Sequence, residues 1–283
     1  MENAILLLSC PDAPGINARI ANFIWQNDGN IINFDQHVDE EFKRYFARVE
    51  WTLDSFKIER NRIGEAFKTL ASSIKADWSI HFTSERPRVA IMVSKQLHCL
   101  YDLLAKWREG RIRCEIPLVI GDKPDAEVVA SMFGIPFHHI PVDPARREEG
   151  ERRQIDLLKR EGVELVVLAR YGKILSPLFV SEFRNRILSV HPSFLPAFPG
   201  KDPFTQAYRR GVKLIGATVH FVNEEIDEGP IVYQEVVRIS HKDSLADIIR
   251  KSEDLEKMIL SESVRLYCER RLLVYENKTI VFE

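Results

Sequence analysis

LVVLA at residues 165–169 is one of four short apolar runs that decide the fold class of this chain. The other three are RVAIMVS at 88–94, EIPLVI at 115–120 and FHHI at 137–140. These runs do not alternate strictly between apolar and polar residues, which is typical of parallel strands buried on both faces. Helical patterns lie between them, at 99–109, 126–133 and 147–161. The alternation predicts an α/β fold with a doubly wound, mostly parallel sheet.

The first 84 residues follow a different plan. Short-period patterns predict strands at 4–9, 30–38, 45–53 and 78–82, and helical patterns start at Ile16 and cover 60–74. The order strand, helix, strand, strand, helix, strand is that of a ferredoxin-like α+β sandwich. Gly29 is expected to be the left-handed residue that follows the first helix.

The polar segment TSERP at 83–87 contains a proline and is predicted to link the two parts. We therefore expect an N-terminal domain at residues 1–84 and a second domain at 85–283. A long helix at 244–266 and a terminal hairpin at 272–282 are expected to complete the second domain. Doubly wound sheets bind ligands at the carboxyl ends of their strands, so a site is expected at that edge.

Composition excludes several classes of function. The 283 residues are 45% hydrophobic and 29% charged, as in an ordinary soluble globular protein. A net charge of -2 offers no basic surface for nucleic acid. The four scattered cysteines predict neither a zinc site nor a redox pair, and no cluster of metal ligands is expected. Neither a secretory signal nor a membrane-spanning apolar run is recognised, so a cytoplasmic protein is expected.

Two polar residues lie beside the predicted sheet. His191 ends the apolar run 187–190, and Asp227 lies in an acidic loop that closes with Gly229 and Pro230. One further apolar strand separates them, so they are expected at neighbouring strand ends. A histidine and a carboxylate held together can polarise a carbonyl group and move its protons. The pair is the candidate catalytic centre, whereas His220, inside a predicted strand, is expected to be structural.

The segment around these residues resembles the signature of the 10-formyltetrahydrofolate-dependent formyltransferase and deformylase superfamily. The signature, Asn-x-His-x-Ser-x-Leu-Pro followed by an Asp-x-Gly loop, is matched by His191, Ser193, Leu195, Pro196, Asp227 and Gly229. The segments at 94–104, 134–142, 194–218 and 273–279 are similar to the deformylase branch. The N-terminal part, with CPDAPGI at 10–16, resembles an ACT domain. The resemblance covers nearly the whole chain.

One position departs from the signature, because Ser189 stands where the family has asparagine. The resemblance implies that this asparagine donates its amide to the formyl oxygen as that atom becomes an oxyanion. Serine is shorter and offers a rotatable hydroxyl. Loss of one oxyanion donor costs about 10²–10³ in rate. Three outcomes stay open: a slow deformylase, an enzyme with a shifted substrate, and a relative that kept the pocket without the chemistry.

The resemblance implies a hydrolase that converts 10-formyltetrahydrofolate to tetrahydrofolate and formate. His191 and Asp227, helped weakly by Ser189, would assist the attack of water, and no metal or other cofactor would be required. The folate is expected against two segments that contain Leu168, Arg170, Tyr171, Val222 and Glu225. The ACT-like part implies an amino-acid effector or a pairing surface, and a homo-oligomer such as a dimer or tetramer.

Two other functions remain open. A transferase for a phosphorylated acceptor needs a glycine-rich phosphate cradle after the first strand of this domain, and residues 94–99 contain no glycine. Transfer to a small amine is not excluded by that absence. The second alternative is a non-catalytic regulator that binds folate and senses an amino acid. Ser189 favours it, and retention of His191 and Asp227 counts against it.

Overall fold

The computed structural model describes residues 2–143, 146–196 and 203–283. The chain divides into two compact units. The first runs to Glu85 and includes Glu269–Leu273 and Ile280–Glu283, whereas the second comprises Arg86–Cys268 and Val274–Thr279. The C-terminal segments 269–273 and 280–283 therefore group with the first unit and not with the second, where the sequence analysis placed them. None of the described helices is both long enough and apolar enough to span a membrane.

The first unit is a four-stranded antiparallel sheet with two helices. Its strands are β1 (Asn3–Pro11), β2 (Ile31–Asp39), β3 (Arg44–Thr52) and β4 (Asp77–Phe82), and its helices are α1 (Ile16–Gln26) and α2 (Ile63–Ser73). The strands lie in the order β2-β3-β1-β4. Ile20 and Ile24 of α1 and Phe67 of α2 share one core with Trp51 of β3. The predicted order of elements is confirmed.

The end of α1 differs from the prediction. Asp28, with a φ of 58°, is the left-handed residue there, and Gly29 is not. A Cβ atom on Gly29 would lie 2.6 Å from Cγ2 of Ile24 and 2.9 Å from Cδ2 of Phe56. Glycine is thus required at this position for space rather than for backbone conformation.

The second unit is built on a seven-stranded sheet. Its strands are β5 (Val89–Val93), β6 (Val119–Gly121), β7 (Phe137–His139), β8 (Leu165–Ala169), β9 (Ile187–His191), β10 (Leu214–Phe221) and β11 (Ile231–Arg238). They lie in the order β11-β10-β9-β8-β5-β6-β7. Strands β5 to β9 pair in parallel, whereas β10 is antiparallel to both of its neighbours. The predicted α/β fold with a mostly parallel sheet is confirmed.

Helices cover the sheet and supply its core. They are α3 (His98–Arg108), α4 (Glu127–Met132), α5 (Arg147–Arg160), α6 (Pro177–Glu182), α7 (Pro203–Arg210) and α8 (Leu245–Cys268). Leu158 of α5 and Phe179 of α6 pack with Val166 and Leu168 of β8 in one cluster. Strands β5 and β8 are buried along their whole length, which explains why their sequences do not alternate. Residues 197–202 of the 194–218 motif lie outside the described part of the chain.

The tail of the chain forms a hairpin of β12 (Leu272–Tyr275) and β13 (Lys278–Val281). Arg48 of β3 ties the start of this tail to the first unit. Its guanidinium donates to the carbonyl oxygens of Arg270 at 3.1 Å and Glu269 at 3.3 Å, and it pairs with Glu50 at 2.9 Å. Because Arg48 is buried, these acceptors compensate the cost of removing its charge from water.

The seven-stranded sheet changes its winding direction between β5 and β8. From β5 the chain proceeds through β6 to β7 at one edge, whereas β8 and β9 lie on the other side of β5. Such a switch point leaves a crevice between the loops that follow the two central strands. His191 ends β9 and Arg170 follows β8, so both lie at the carboxyl edge where the sequence predicts a site.

Candidate active site

His191 has a side-chain partner at each ring nitrogen. Nδ1 lies 2.9 Å from Oγ of Ser193, and Nε2 lies 3.3 Å from Oδ2 of Asp227. When the Ser193 hydroxyl donates to Nδ1, the proton of the neutral ring is on Nε2 and faces the carboxylate. The His191 ring is mostly buried, so this orientation is held by its surroundings.

The chain that follows His191 is held by Thr218 of β10, the residue that pairs with His191 in the sheet. The Thr218 hydroxyl donates to the carbonyl oxygen of Ser193 at 2.9 Å and accepts from the backbone N–H of Leu195 at 3.0 Å. Gln234 donates to both Thr218 Oγ1 and the Leu195 carbonyl, at 3.0 Å each. Thr218 and Ser193 are buried, so this network holds the Ser193 hydroxyl beside Nδ1 of His191.

Asp227 does not reach His191 from a neighbouring strand end, and that prediction is wrong. Strand β10 is antiparallel to β9, so its carboxyl end, Phe221, pairs with Leu188 near the start of β9. The chain returns through the loop 222–230, which is closed where the N–H of Phe221 donates to the Pro230 carbonyl at 2.8 Å. We call residues 222–230 the Asp227 loop. It brings the carboxylate back to the histidine.

The Asp227 carboxylate lies between two histidines. Its Oδ2 is 3.3 Å from Nε2 of His191, and its Oδ1 is 3.8 Å from Nε2 of His220. The hydrogen bond from His191 lowers the pKa of Asp227 below its ordinary value, although burial partly opposes that shift. The group is therefore ionised at neutral pH, as a base or a water-orienting group must be. Its φ of 59° places it in a conformation uncommon for residues other than glycine.

His220 is a strand residue, as predicted, but it is also part of the site. Its Nδ1 lies 2.9 Å from the carbonyl oxygen of Phe221, so Nδ1 carries the proton and Nε2 is an acceptor. Nε2 has no hydrogen-bond partner within residues 2–143, 146–196 and 203–283. The sequence did not predict that His220 lines the site, because the pattern of an apolar strand does not show which of its polar side chains faces a cleft.

Burial lowers the pKa of His220, and this makes stability depend on pH. An unfolded histidine takes up a proton near pH 6.5, whereas the folded chain excludes it, so stability falls as the pH drops below about 6.5. The loss is at most about 1.4 kcal/mol per pH unit for one proton. Urea unfolding at about pH 7.5 and about pH 5.5 should show a larger loss for the unmodified protein than for His220→Gln. Equal losses would contradict a buried neutral His220.

A cleft of about 430 Å³ opens beside His191. It is lined by all eight residues that the sequence analysis assigned to the site: His191, Asp227, Ser189, Leu168, Arg170, Tyr171, Val222 and Glu225. Ser189 lies on the same face as His191 because alternate residues of a strand point the same way. Gln96 and Lys173 also line the cleft and were not predicted, and so does Asn223, which lies between the predicted Val222 and Glu225. Of these, Asn223 has a buried side-chain oxygen with no partner among the described residues.

Two of the predicted folate-binding side chains are engaged by the protein itself. The Tyr171 hydroxyl lies 3.1 Å from Nε2 of Gln154. Burial raises the pKa of Tyr171 to about 12. Nε of Arg170 donates to Gln96 at 2.8 Å and lies 3.4 Å from Oε2 of Glu256. Any contact that Arg170 or Tyr171 makes with a ligand must therefore use other atoms of these residues.

Comparison with known proteins identifies the family of the chain. The family model described as formyl transferase matches residues 87–264. A formyltetrahydrofolate deformylase of Synechocystis sp. is 50% identical over 100% of both chains. One of Bacillus subtilis is 41% identical over 98% of this chain and 93% of its own. The crystal structure of a formyltetrahydrofolate deformylase from Pseudomonas syringae pv. tomato superposes with a TM-score of 0.98 at 39% identity, covering 100% of this chain and 95% of that one.

The chain belongs to the formyltetrahydrofolate deformylase family. Within this deformylase site, Ser189 occupies the position that the superfamily signature assigns to asparagine. Ser189 pairs with His220 of β10 and with Leu168 of β8 in the sheet. Its hydroxyl makes no hydrogen bond to another described residue. It is therefore available to a ligand in the cleft.

The expectation that no metal ligands cluster in the structure is wrong. The sequence predicted no ligand cluster in this deformylase chain, yet the ligand atoms of His98, Cys99 and Glu256 lie within 4.8 Å of one another. Glu256 accepts from Ser252 and lies 3.0 Å from His98, and the Arg170 cation is also beside it. Burial raises the pKa of the Cys99 thiol, which opposes the thiolate that metals bind. The cluster is better described as an internal ion-pair network.

The Asp227 loop requires glycine at position 229. A Cβ atom there would lie 1.7 Å from the carbonyl oxygen of Phe221, the residue at which the loop closes. We expect Gly229→Ala to displace the loop and its carboxylate and to lower kcat/KM by about 10²-fold, because a shift of about 1 Å in a reacting group has that effect. Steady-state hydrolysis of 10-formyltetrahydrofolate measures it.

Gly64→Ala is the matched control for this substitution. It lies in α2, and its Cβ atom would be 3.7 Å from the Trp78 ring, an ordinary contact. Alanine is the better helix former, so this variant should fold and keep full activity. Full activity in Gly229→Ala would show that Asp227 tolerates displacement and would contradict the role given to the loop.

Proposed function

We propose that this chain hydrolyses 10-formyltetrahydrofolate to tetrahydrofolate and formate through His191 and Asp227. The observation that carries the proposal is the Asp227 carboxylate 3.3 Å from the Nε2 of His191, at the wall of a cleft of about 430 Å³. The chain is thus an enzyme of the hydrolase class that acts on a formamide C–N bond. The reaction uses protein side chains, the folate substrate and water.

Attack by water is the first step. The formyl group on N10 lies beside His191 with its oxygen toward Nε2–H, and Asp227 accepts a proton from the water molecule as the oxygen of that water bonds to the formyl carbon. The carbonyl oxygen becomes an oxyanion that accepts from His191 and from the Ser189 hydroxyl. Donors fixed in advance at a developing charge stabilise it more than water does.

Collapse of the tetrahedral species is the second step. The proton held by Asp227 passes to N10 as the bond between the formyl carbon and N10 breaks. Electrons return from the oxyanion to re-form the carbonyl, and formate leaves once the remaining hydroxyl proton is lost to solvent. Asp227 suits both steps because the hydrogen bond from His191 keeps it ionised between turnovers.

Binding of the folate is assigned to the two segments that line the cleft on either side of the catalytic pair. One follows β8 and includes Leu168, and the other is the Asp227 loop with Val222 and Glu225. Asn223 adds to the same wall a buried side-chain oxygen that has no partner in the described part of the chain, which suits an N–H donor on a heterocycle. These contacts are part of the proposal.

The first unit is proposed to be an ACT-type module with the ferredoxin-like plan. Its element order and its strand order β2-β3-β1-β4 support that assignment. It would bind a small effector such as an amino acid, or pair subunits in a dimer or tetramer. Sedimentation of the full chain with and without amino acids measures both properties.

The test of the proposed activity is release of tetrahydrofolate and formate from 10-formyltetrahydrofolate by the full chain. Both products should appear in equal amounts with multiple turnovers. Tight binding of the folate without product would overturn the hydrolase in favour of a binding protein, the alternative that Ser189 favours. A formylated amine in place of formate would indicate a transferase.

A further inference from the structure

The crevice between β5 and β8 is the place where a doubly wound sheet ordinarily receives a ligand. In this chain the crevice is bridged by the protein itself. Nε of Arg170, after β8, donates to Oε1 of Gln96, after β5, at 2.8 Å. A second bond joins the same two loops, because the N–H of Gly172 donates to Oγ of Ser94 at 2.9 Å.

A buried carboxylate from α8 completes the closure. Glu256 is 1% exposed, and its Oε2 lies 3.4 Å from Nε of Arg170 and 3.0 Å from Nε2 of His98. Its other oxygen accepts from the Ser252 hydroxyl at 3.1 Å. Both carboxylate oxygens are thus occupied by groups of the protein, and a buried charge paired in this way is costly to uncover.

Arg170 has an unusual backbone conformation at this position. Its φ of 60° is a left-handed conformation that side chains other than glycine seldom adopt. The residue lines the catalytic cleft, and its guanidinium contacts both Gln96 and Glu256. We call the group Ser94, Gln96, Arg170 and Glu256 the crevice plug.

We propose that the crevice plug selects water as the formyl acceptor, an inference that rests on the proposed hydrolase activity. A larger acceptor must bring its nucleophile within about 3–3.5 Å of the formyl carbon while its remainder occupies a second compartment. The cleft of about 430 Å³ is at the small end of the range for a single ligand. The plug bridges the loops after β5 and β8 beside this cleft and leaves a substituted acceptor no room there, so a nucleophile without a substituent is the one that fits. The family model that covers this unit is that of formyl transferases. A hydrolase with this fold therefore needs residues that exclude an acceptor larger than water.

The experiment removes the bridging side chain of the plug and measures which acceptor receives the formyl group. Arg170→Gly keeps a residue suited to the left-handed backbone, and Glu256→Gln in the same chain removes the carboxylate charge that would otherwise lose its cation. The full-length variant is incubated with 10-formyltetrahydrofolate and excess glycinamide, and formate and N-formylglycinamide are quantified. The unmodified protein should yield formate almost alone. The variant should raise the ratio of N-formylglycinamide to formate by about tenfold or more, because a bound amine competes with water at high effective concentration.

The ratio is independent of the overall rate, so a slow variant still reports on acceptor choice. Asn185→Gly with Glu182→Gln is the matched control, because Asn185 is an exposed left-handed residue and Glu182 pairs with Lys159 away from the cleft. Its product ratio should equal that of the unmodified protein. An unchanged ratio in the plug variant would overturn the proposal, whereas failure of the unmodified protein to release formate would overturn the proposed hydrolase.

A second readout needs no turnover. Cys99 is fully buried, and its sulfur lies within 4.8 Å of the ligand atoms of His98 and of Glu256, the plug carboxylate that pairs with Arg170. Methyl methanethiosulfonate should leave it unmodified in the native protein and modify it at least about tenfold faster in the plug variant, because access governs thiol reactivity. The other buried cysteines, Cys10, Cys114 and Cys268, report general unfolding. A Cys99 that stays protected in the plug variant would show that these residues do not close the crevice.

Discussion

Asp227→Asn is expected to lower kcat/KM for 10-formyltetrahydrofolate by about 10³-fold, within the range for loss of a positioned acid or base. Asparagine retains the size of the side chain but cannot take a proton from water or return it to N10. Its amide can still accept from His191 at the 3.3 Å position, so the loop should keep its place. Stopped assays of formate release, with folate affinity measured in parallel, separate lost chemistry from lost binding.

Asp254→Asn is the matched control, because Asp254 is an exposed carboxylate of α8 that pairs with Lys257. It should be fully active. His191→Ala should show a loss comparable to that of Asp227→Asn, and the double variant should lose little more than either single one, since residues that act as a unit are not additive. An Asp227→Asn enzyme within tenfold of the unmodified protein would remove this carboxylate from the mechanism.

Ser189→Asn is expected to raise kcat by about 10- to 100-fold, because one oxyanion donor accounts for about 10²–10³ in rate and serine already supplies part of it. The position supports the effect, since Ser189 lines the cleft and is on the same strand face as His191. The longer amide presents a fixed N–H in place of a rotatable hydroxyl. The KM should change little, because the interaction forms only in the transition state.

Ser189→Ala supplies the complementary comparison. It removes the hydroxyl without adding bulk, and kcat should fall by about tenfold or more if serine is a working donor. An unchanged rate in Ser189→Ala together with a reduced rate in Ser189→Asn would show that position 189 does not face the oxyanion. Recovery of activity by Ser189→Asn in an otherwise inactive protein would instead indicate a site adapted to binding.

The elements of the fold were predictable because they depend on local patterns. Buried parallel strands such as β8 have a continuous apolar sequence, and the helices between them have clear periodicity. Strand direction was not predictable at β10, because an apolar run reads the same whether it pairs in parallel or antiparallel. That ambiguity produced the error over Asp227. A strand-end position was expected, whereas the structure uses a returning loop.

The sequence predicts which residues are the catalytic candidates, but not which other polar residues lie beside them. His191 and Asp227 were accessible to sequence reasoning because the signature fixes their types and order. His220 and Glu256 were not, since each lies in an apolar strand or helix whose pattern predicts only burial. Their roles depend on which polar atoms meet across elements distant in sequence, such as His98 and Glu256 at 3.0 Å.

The closed ends of the Asp227 loop restrict how this region can vary in length. Surface loops ordinarily absorb inserted and deleted residues without harm to the elements they join. Here the N–H of Phe221 donates a hydrogen bond to the Pro230 carbonyl, and the N–H of Val222 donates to the Ile187 carbonyl at 2.9 Å. Gly229 packs so closely against Phe221 that no larger residue fits. One added or removed residue would move the carboxylate away from both histidines while the sheet stayed intact. Among single-residue insertions made along the second unit, those in 222–229 should yield folded proteins that have lost their chemistry.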